Sequence, residues 1–364
     1  TEFTVETSGS ETIYGFTLLG GPTTTITFTT TLVTTGTGGP FPDLLSFPGA
    51  TLEYIIGGPG QDTVYGGGND DVLFGDNETA SSNNFADLLY GEADDDSLYG
   101  GGGDDVLYGG SGSDLISGGF LASDGETGTG DDVLFGGGTG LSGADTLYGG
   151  DGNDFLDGIT NDGPGFTDYL YGGTGDDTIF AGDGDEVYGG QGNDQITINP
   201  NLFYGGVVAS DGDDTVTLDQ SGPNLSLTSD DIDGGSDEDV LVLLDDGVDF
   251  NFSGSSENIN STHFANFERI ELGQLGDTGS GSITLNIQDV IDMTDSSNEL
   301  ELVLHSENGT LNLDNNFIDT GIDEVSDDGF TFSKYVDSLT ATNTTLFVAN
   351  DTGATISMTS VSVV

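Results

Sequence analysis

The feature that most constrains this chain is a nine-residue pattern that recurs between about residues 57 and 242. It opens as Gly57-Gly58-Pro59-Gly60-Gln61-Asp62-Thr63-Val64-Tyr65. Its clearest copies are Gly109–Ser117 (GGSGSDLIS), Gly149–Asp157 (GGDGNDFLD), Gly172–Phe180 (GGTGDDTIF) and Gly189–Thr197 (GGQGNDQIT). A short fixed period is the signature of a solenoid, in which each copy buries its apolar face against its neighbours. A disordered Gly/Asp-rich linker has no reason to hold an aspartate and an aliphatic residue two places apart through copy after copy.

The residue types explain the pattern. Glycine reaches φ > 0 without strain, so each G-G-x-G is a tight turn. The turn glycines include Gly58 and Gly60, Gly110 and Gly112, Gly150 and Gly152, Gly173 and Gly175, and Gly190 and Gly192. Asn69, Asp94 and Asp237 stand in the fourth place as the next best occupants of that conformation. The sixth residue adds a hard carboxylate beside carbonyls that point together, and calcium takes six to eight such oxygens. The candidate calcium ligands are those turn glycines and Asp62, Asp71, Asp87, Asp96, Asp105, Asp114, Asp132, Asp145, Asp154, Asp168, Asp177, Asp185, Asp194, Asp214 and Asp239. The D-x-U-x end alternates as a strand does, which turns the eighth residue inward. Two nonapeptides complete one coil, and each calcium is expected between turns stacked one coil apart.

The expected fold class is all-β: a right-handed parallel β-roll over residues 57–197. A threonine-rich β segment or cap, residues 1–56, precedes it. A transition region with isolated calcium turns, residues 198–242, follows, and then a C-terminal β-rich domain, residues 243–364. In the first segment Thr1–Val5 and Thr23–Thr35 read as strands, Gly36–Pro48 as a Gly/Pro-rich loop, and Leu52–Ile56 as the strand that leads into the repeats. In the last, Val240–Leu244, Ile283–Ile287, Leu300–Leu304, Thr345–Val348 and Ile356–Val364 read as strands, and Gln288–Met293 as one helical turn.

Irregular spacing carries information too. Extra residues precede Asp87, Asp145 and Asp168, and one is missing before Asp185. If Gly118–Glu126 counts as a degenerate turn, all of these fall on one edge of the roll. The tyrosines at the ninth place, Tyr65, Tyr90, Tyr108, Tyr148, Tyr171 and Tyr188, then share one parity, and packing along the sheet accounts for them.

Charge narrows the context. Against 65 acidic residues stand only Arg269 and Lys334, for a formal charge of −63. Such a chain repels itself until cations neutralise it, and it repels nucleic acid and anionic membranes. It has no cysteine and no apolar run long enough to span a bilayer. The start at Thr1, with no signal-peptide pattern after it, reads as a processed or trimmed product. No H-E-x-x-H or G-x-S-x-G occurs, and His263 and His305 read as core or surface residues, so the expectation is of no enzyme.

The repeat resembles that of the RTX calcium-binding proteins. His263-Phe-Ala-Asn-Phe-Glu-Arg-Ile-Glu-Leu272 and Ile283-Thr-Leu-Asn-Ile-Gln-Asp-Val-Ile-Asp-Met-Thr-Asp295 are similar to the C-terminal region of large RTX adhesins and surface proteins. That resemblance implies type I secretion through an uncleaved C-terminal signal, folding outside the cell, and an extracellular or cell-surface location. Three functional readings follow: a self-assembling layer, filament or matrix protein; an adhesin module that binds a carbohydrate or cell surface through loops on one edge; and the noncatalytic tail of a larger exported enzyme. Homotypic association is the favoured partnership, since β-prone segments lie near both termini.

Overall fold

A computed structural model describes residues 2–8, 11–17, 25–26, 33–38, 41–46, 52–76, 85–119, 121–122, 125–126, 129–137, 143–159, 167–182, 184–198, 205–219, 232–244, 249–251, 264–273, 282–285, 294, 299–304, 310–313, 317–325, 331–337, 345–350 and 355–358. Every regular element among them is a strand. The chain divides into two compact units, Thr1–Gln191 and Gly192–Val364.

In the first unit the chain passes back and forth between two sheets. From Leu52 onward one sheet takes Leu52–Ile56, Val72–Phe74, Ser97–Tyr99, Leu115–Ser117, Thr146–Asp151, Tyr169–Thr174 and Glu186–Gln191. The other takes Leu44–Ser46, Thr63–Gly68, Leu88–Ala93, Val106–Ser111, Val133–Gly137, Phe155–Asp157 and Thr178–Ala181. Neighbours in each sheet run parallel and in register, one coil apart, as in a parallel β-roll. Val64 pairs with Leu89, Leu89 with Leu107, Leu107 with Leu134, and Leu134 with Leu156. In the facing sheet Ile55, Leu73, Leu98, Ile116, Leu147, Leu170 and Val187 align in the same way. All of these eighth-place side chains are buried and form a thin aliphatic core.

Before the roll, Val33–Thr37 pairs parallel with Leu52–Ile56, and Glu11–Thr17 pairs parallel with Val33–Thr37. Glu2–Ser8 folds back antiparallel on Glu11–Thr17. Part of the expected Gly36–Pro48 loop is instead a repeat. Leu44–Ser46 pairs with Thr63–Tyr65, and Leu45 is buried.

The expected single loop-bearing edge is overturned. Leu121–Ala122 pairs antiparallel with Gly125–Glu126 as a small hairpin within the turn that runs from Gly118 to Asp132, so Gly118–Glu126 does not count as a turn of its own. Parity therefore shifts after Asp114. The turns ending at Asp62, Asp87, Asp105, Asp132, Asp154 and Asp177 form a first edge; those ending at Asp71, Asp96, Asp114, Asp145, Asp168 and Asp185 form a second. Enlarged turns precede Asp87 and Asp132 on the first edge, and Asp145 and Asp168 on the second. The tyrosines divide likewise. Tyr65, Tyr90, Tyr108 and Phe135 stack on one sheet at centroid spacings of 4.8, 4.9 and 4.8 Å. Tyr148, Tyr171 and Tyr188 stack on the other at 4.7 and 4.9 Å.

In the second unit the parallel register runs from Gln195–Ile198 through Thr215–Asp219, Val240–Leu244, Arg269–Leu272 and Glu299–Leu304 to Thr345–Asn350. Antiparallel strands Thr331–Asp337 and Phe317–Val325 complete that sheet. A separate parallel sheet holds Asp249–Asn251, Ser282–Leu285, Thr310–Leu313 and Thr355–Met358. The expected helical turn at Gln288–Met293, and residues 359–364 of the expected last strand, lie outside the described residues.

Candidate metal centre

Each turn is built by its glycines. In the regular turns of the first unit the second and fourth places take positive φ, as at Gly150 (115°), Gly152 (152°), Gly173 (118°) and Gly175 (125°). Asn69, Asp94 and Asp237 occupy the fourth place at φ 91°, 74° and 91°. Glu92 (83°) and Ser210 (95°) hold the second-place conformation without being glycine.

The first-place glycine answers a different need. A Cβ on Gly75 would lie 2.5 Å from Asp87 Oδ2 and 2.5 Å from the Gly100 carbonyl oxygen. On Gly149 it would lie 2.5 Å from Asp154 Oδ2 and 2.5 Å from Gly172 O. At these two turns a bare Cα lets the carboxylate of its own turn and the carbonyl of the next coil face one small space together.

The sixth-place aspartates form ladders. Along the first edge each backbone N–H donates to Oδ1 of the aspartate one coil on: Asp43 to Asp62, Asp62 to Asp87, Asp87 to Asp105, Asp105 to Asp132, Asp132 to Asp154, and Asp154 to Asp177, at 2.6–2.7 Å. Along the second edge Asp71, Asp96, Asp114, Asp145, Asp168 and Asp185 are linked in the same way at 2.7–2.9 Å. The exposed fifth-place side chains reach the opposite way. Asp104 Oδ1 accepts from Asp131 N, Asp131 Oδ1 from Asn153 N, and Asn153 Oδ1 from Asp176 N. Successive turns are thus clamped in both directions.

In the second unit Asp194 N donates to Asp214 Oδ1 and Asp214 N to Asp239 Oδ1. The expected isolation of Asp214 and Asp239 is therefore wrong; parallel pairing of their strands stacks them. Asp239 N donates to Glu268 Oε2 at 3.0 Å, so a glutamate takes the next aspartate's place.

One carboxylate oxygen is thereby committed to the backbone. The other, Oδ2, is buried with no hydrogen-bond partner at Asp62, Asp87, Asp96, Asp105, Asp114, Asp154, Asp214 and Asp239. Burial raises these acids, with further push from neighbouring carboxylates. Asp114 and Asp214 rise to about 6, Asp62, Asp154 and Asp239 to about 7, Asp87 and Asp96 to about 8, and Asp105 to about 9. A buried ionised carboxylate with one oxygen unmatched is costly, and a hard cation removes that cost. Among the described residues no three acidic or imidazole side chains gather as a metal-binding group. The ion must therefore draw on backbone carbonyls as well, which the turns present and calcium accepts.

The sequence matches the family of the RTX calcium-binding nonapeptide repeat in four copies, over residues 49–78, 81–116, 139–158 and 163–196. The protein carries RTX calcium-binding repeats. Such repeats bind several calcium ions, and the paired carboxylates and carbonyls described above fit them. The RTX repeat is typically a structural, noncatalytic unit. No curated protein matches the chain.

Sequence reasoning missed Asp43. It is buried, its N–H enters the first-edge ladder, and its carbonyl accepts from Thr63 N at 2.9 Å. The signal was present: Gly38–Ser46 reads GGPFPDLLS, a nonapeptide with proline and phenylalanine among its turn residues. Asp76 and Glu268 were also missed, because neither stands at the sixth place of a glycine-rich turn.

Proposed function

We propose that the protein is exported, folds on calcium outside the cell, and assembles with copies of itself into a surface layer, filament or matrix. The row of buried carboxylate oxygens without hydrogen-bond partners supports calcium-driven folding. At millimolar calcium and an extracellular-type Kd of about 10⁻⁴–10⁻³ M, each site contributes roughly 0.4–1.4 kcal/mol. A calcium-poor cytosol then leaves the chain unfolded and able to thread through an export channel. Assembly is supported by Glu2–Ser8, which among the described residues pairs on one side only. It has no lysine, proline or bulge to blunt it. The edge strand Phe317–Val325 contrasts with it, since its register shifts between Asp319 and Asp323. Light scattering on adding calcium to chelated protein tests the reading. Growth to large particles that is lost on deleting residues 1–17 supports it; a monodisperse monomer at millimolar calcium rules it out.

A second reading, carbohydrate or cell-surface binding, is favoured by one feature of the first unit. A groove of about 680 Å³ on the first edge is lined by Pro42, Gly60, Gln61, Phe85 and Asp104, among others. Phe41 and Phe85 are 50% and 40% exposed. Binding of neutral oligosaccharides that Phe85→Ala abolishes would favour this reading over assembly.

A further inference from the structure

The turn that opens at Gly75 is enlarged and also departs from the repeat at its second place. At Gly58, Gly101, Gly150 and Gly173 the second place is a glycine with φ of 97°, 118°, 115° and 118°. Here it is Asp76, which is not among the residues with positive φ. Outside the left-handed conformation a side chain is tolerated at this place. The backbone keeps its register: Asp76 N donates to Gly100 O at 3.2 Å, as Gly58 N does to Gly75 O and Gly101 N to Gly118 O, both at 2.8 Å.

The side chain faces the interior, and Asp76 is wholly buried. Its charge acts on Asp62, Asp87 and Asp105, the sixth-place ligands of three successive first-edge turns. Two of these supply independent signs of a site. Oδ2 of Asp87 and Oδ2 of Asp105 are buried with no hydrogen-bond partner. Asp87 Oδ2 and Gly100 O also crowd the point where a Gly75 side chain would stand.

We propose that Asp76 is a calcium ligand outside the repeat, and that the site it forms with Asp87 and the Gly100 carbonyl is the one calcium fills first. An ordinary turn brings one carboxylate to its ion. This one brings two, and calcium affinity rises with the charge of the ligand set. A solenoid folds outward from wherever its first coils pair, so the Gly57, Gly75 and Gly100 turns become the nucleus.

The test is calorimetric titration of the calcium-free, full-length protein. Asp76→Gly restores the repeat residue, Asp76→Asn keeps the shape without the charge, and Asp96→Asn removes an ordinary ligand on the second edge. Both Asp76 variants are expected to weaken the first binding step about tenfold or more, with later steps and the saturated circular dichroism spectrum unchanged. Asp96→Asn keeps the first step and loses a later one. A wild-type first step in either Asp76 variant overturns the proposal. A purely structural Asp76 would lower stability with and without calcium alike and leave that step alone. Hydrogen exchange of the wild-type protein at one equivalent of calcium gives a variant-free check. Protection must appear first within residues 57–105, and protection that starts elsewhere refutes the site. Absence of all calcium binding would instead overturn the metal assignment of the repeats as a whole.

Discussion

The repeat turns before Gln191 and the strands between Phe264 and Asn350 extend similar parallel ladders with opposite chemistry. In the turns, buried aspartates line up one per coil along each edge, and their second oxygens call for a cation. Among the described residues from Phe264 to Asn350 only Glu268 takes such a place, and both basic residues of the chain lie in this region. Arg269 bonds Glu301 through Nε at 3.0 Å and Nη2 at 2.7 Å. Lys334 Nζ lies 4.8 Å from the centre of the Phe347 ring. Val303, Phe332 and Ala349 form an apolar cluster with Phe347 against it. One region thus takes its positive charge from solution, and the other carries its own. Calcium control should follow the aspartate turns, Asp214 and Asp239 included, and leave the C-terminal strands alone.

Acid should blur this contrast most. In the calcium-free protein the folded-state acids sit at about 6 to 9, above the unfolded value of 3.8. A raised pKa means that the folded state binds more protons. Its contribution to stability is full below about pH 4 and is lost as pH rises through about 6 to 9. EDTA-treated protein should therefore regain β-structure in circular dichroism as pH falls below 6. Acidification with no such gain contradicts the assigned burial.

Gly149→Ala should strike one turn only. Its new methyl meets Asp154 Oδ2 and Gly172 O, at a glycine whose φ is ordinary, so lack of space alone sets the cost. A loss of about 2–4 kcal/mol in the calcium-loaded state is expected, read by denaturant titration, together with one fewer bound ion. An unchanged ion count would show that the space holds no ligand oxygens of importance.

Glu301→Gln should do least. The Arg269 and Glu301 side chains are 23% and 32% exposed. A pair so placed contributes less than about 1 kcal/mol, and the effect should shrink with added salt. A larger, salt-insensitive loss would mean that the pair carries the C-terminal strands.

The period made much of the architecture legible. A nine-residue spacing identified the inward aliphatics from Val64 to Val187 and the stacked aspartates, because one turn chemistry recurs with each. What it could not fix was parity. Gly118–Glu126 has the length of a repeat, but Leu121–Ala122 and Gly125–Glu126 pair with each other as a hairpin, and that local choice moved every later turn to the opposite edge. Places defined by register and not by composition were also missed. Asp43 lies behind two prolines and a phenylalanine, Asp76 sits where the repeat has glycine, and Glu268 takes an aspartate's place with no glycine turn before it.

Hydrogen exchange of the full-length protein with and without calcium separates the two regions. Chelation at neutral pH should strip protection from the repeat strands between Leu52 and Gln191, while the strands Arg269–Leu272, Glu299–Leu304 and Thr345–Asn350 keep theirs. Repeat strands that stay protected after complete removal of calcium would contradict this.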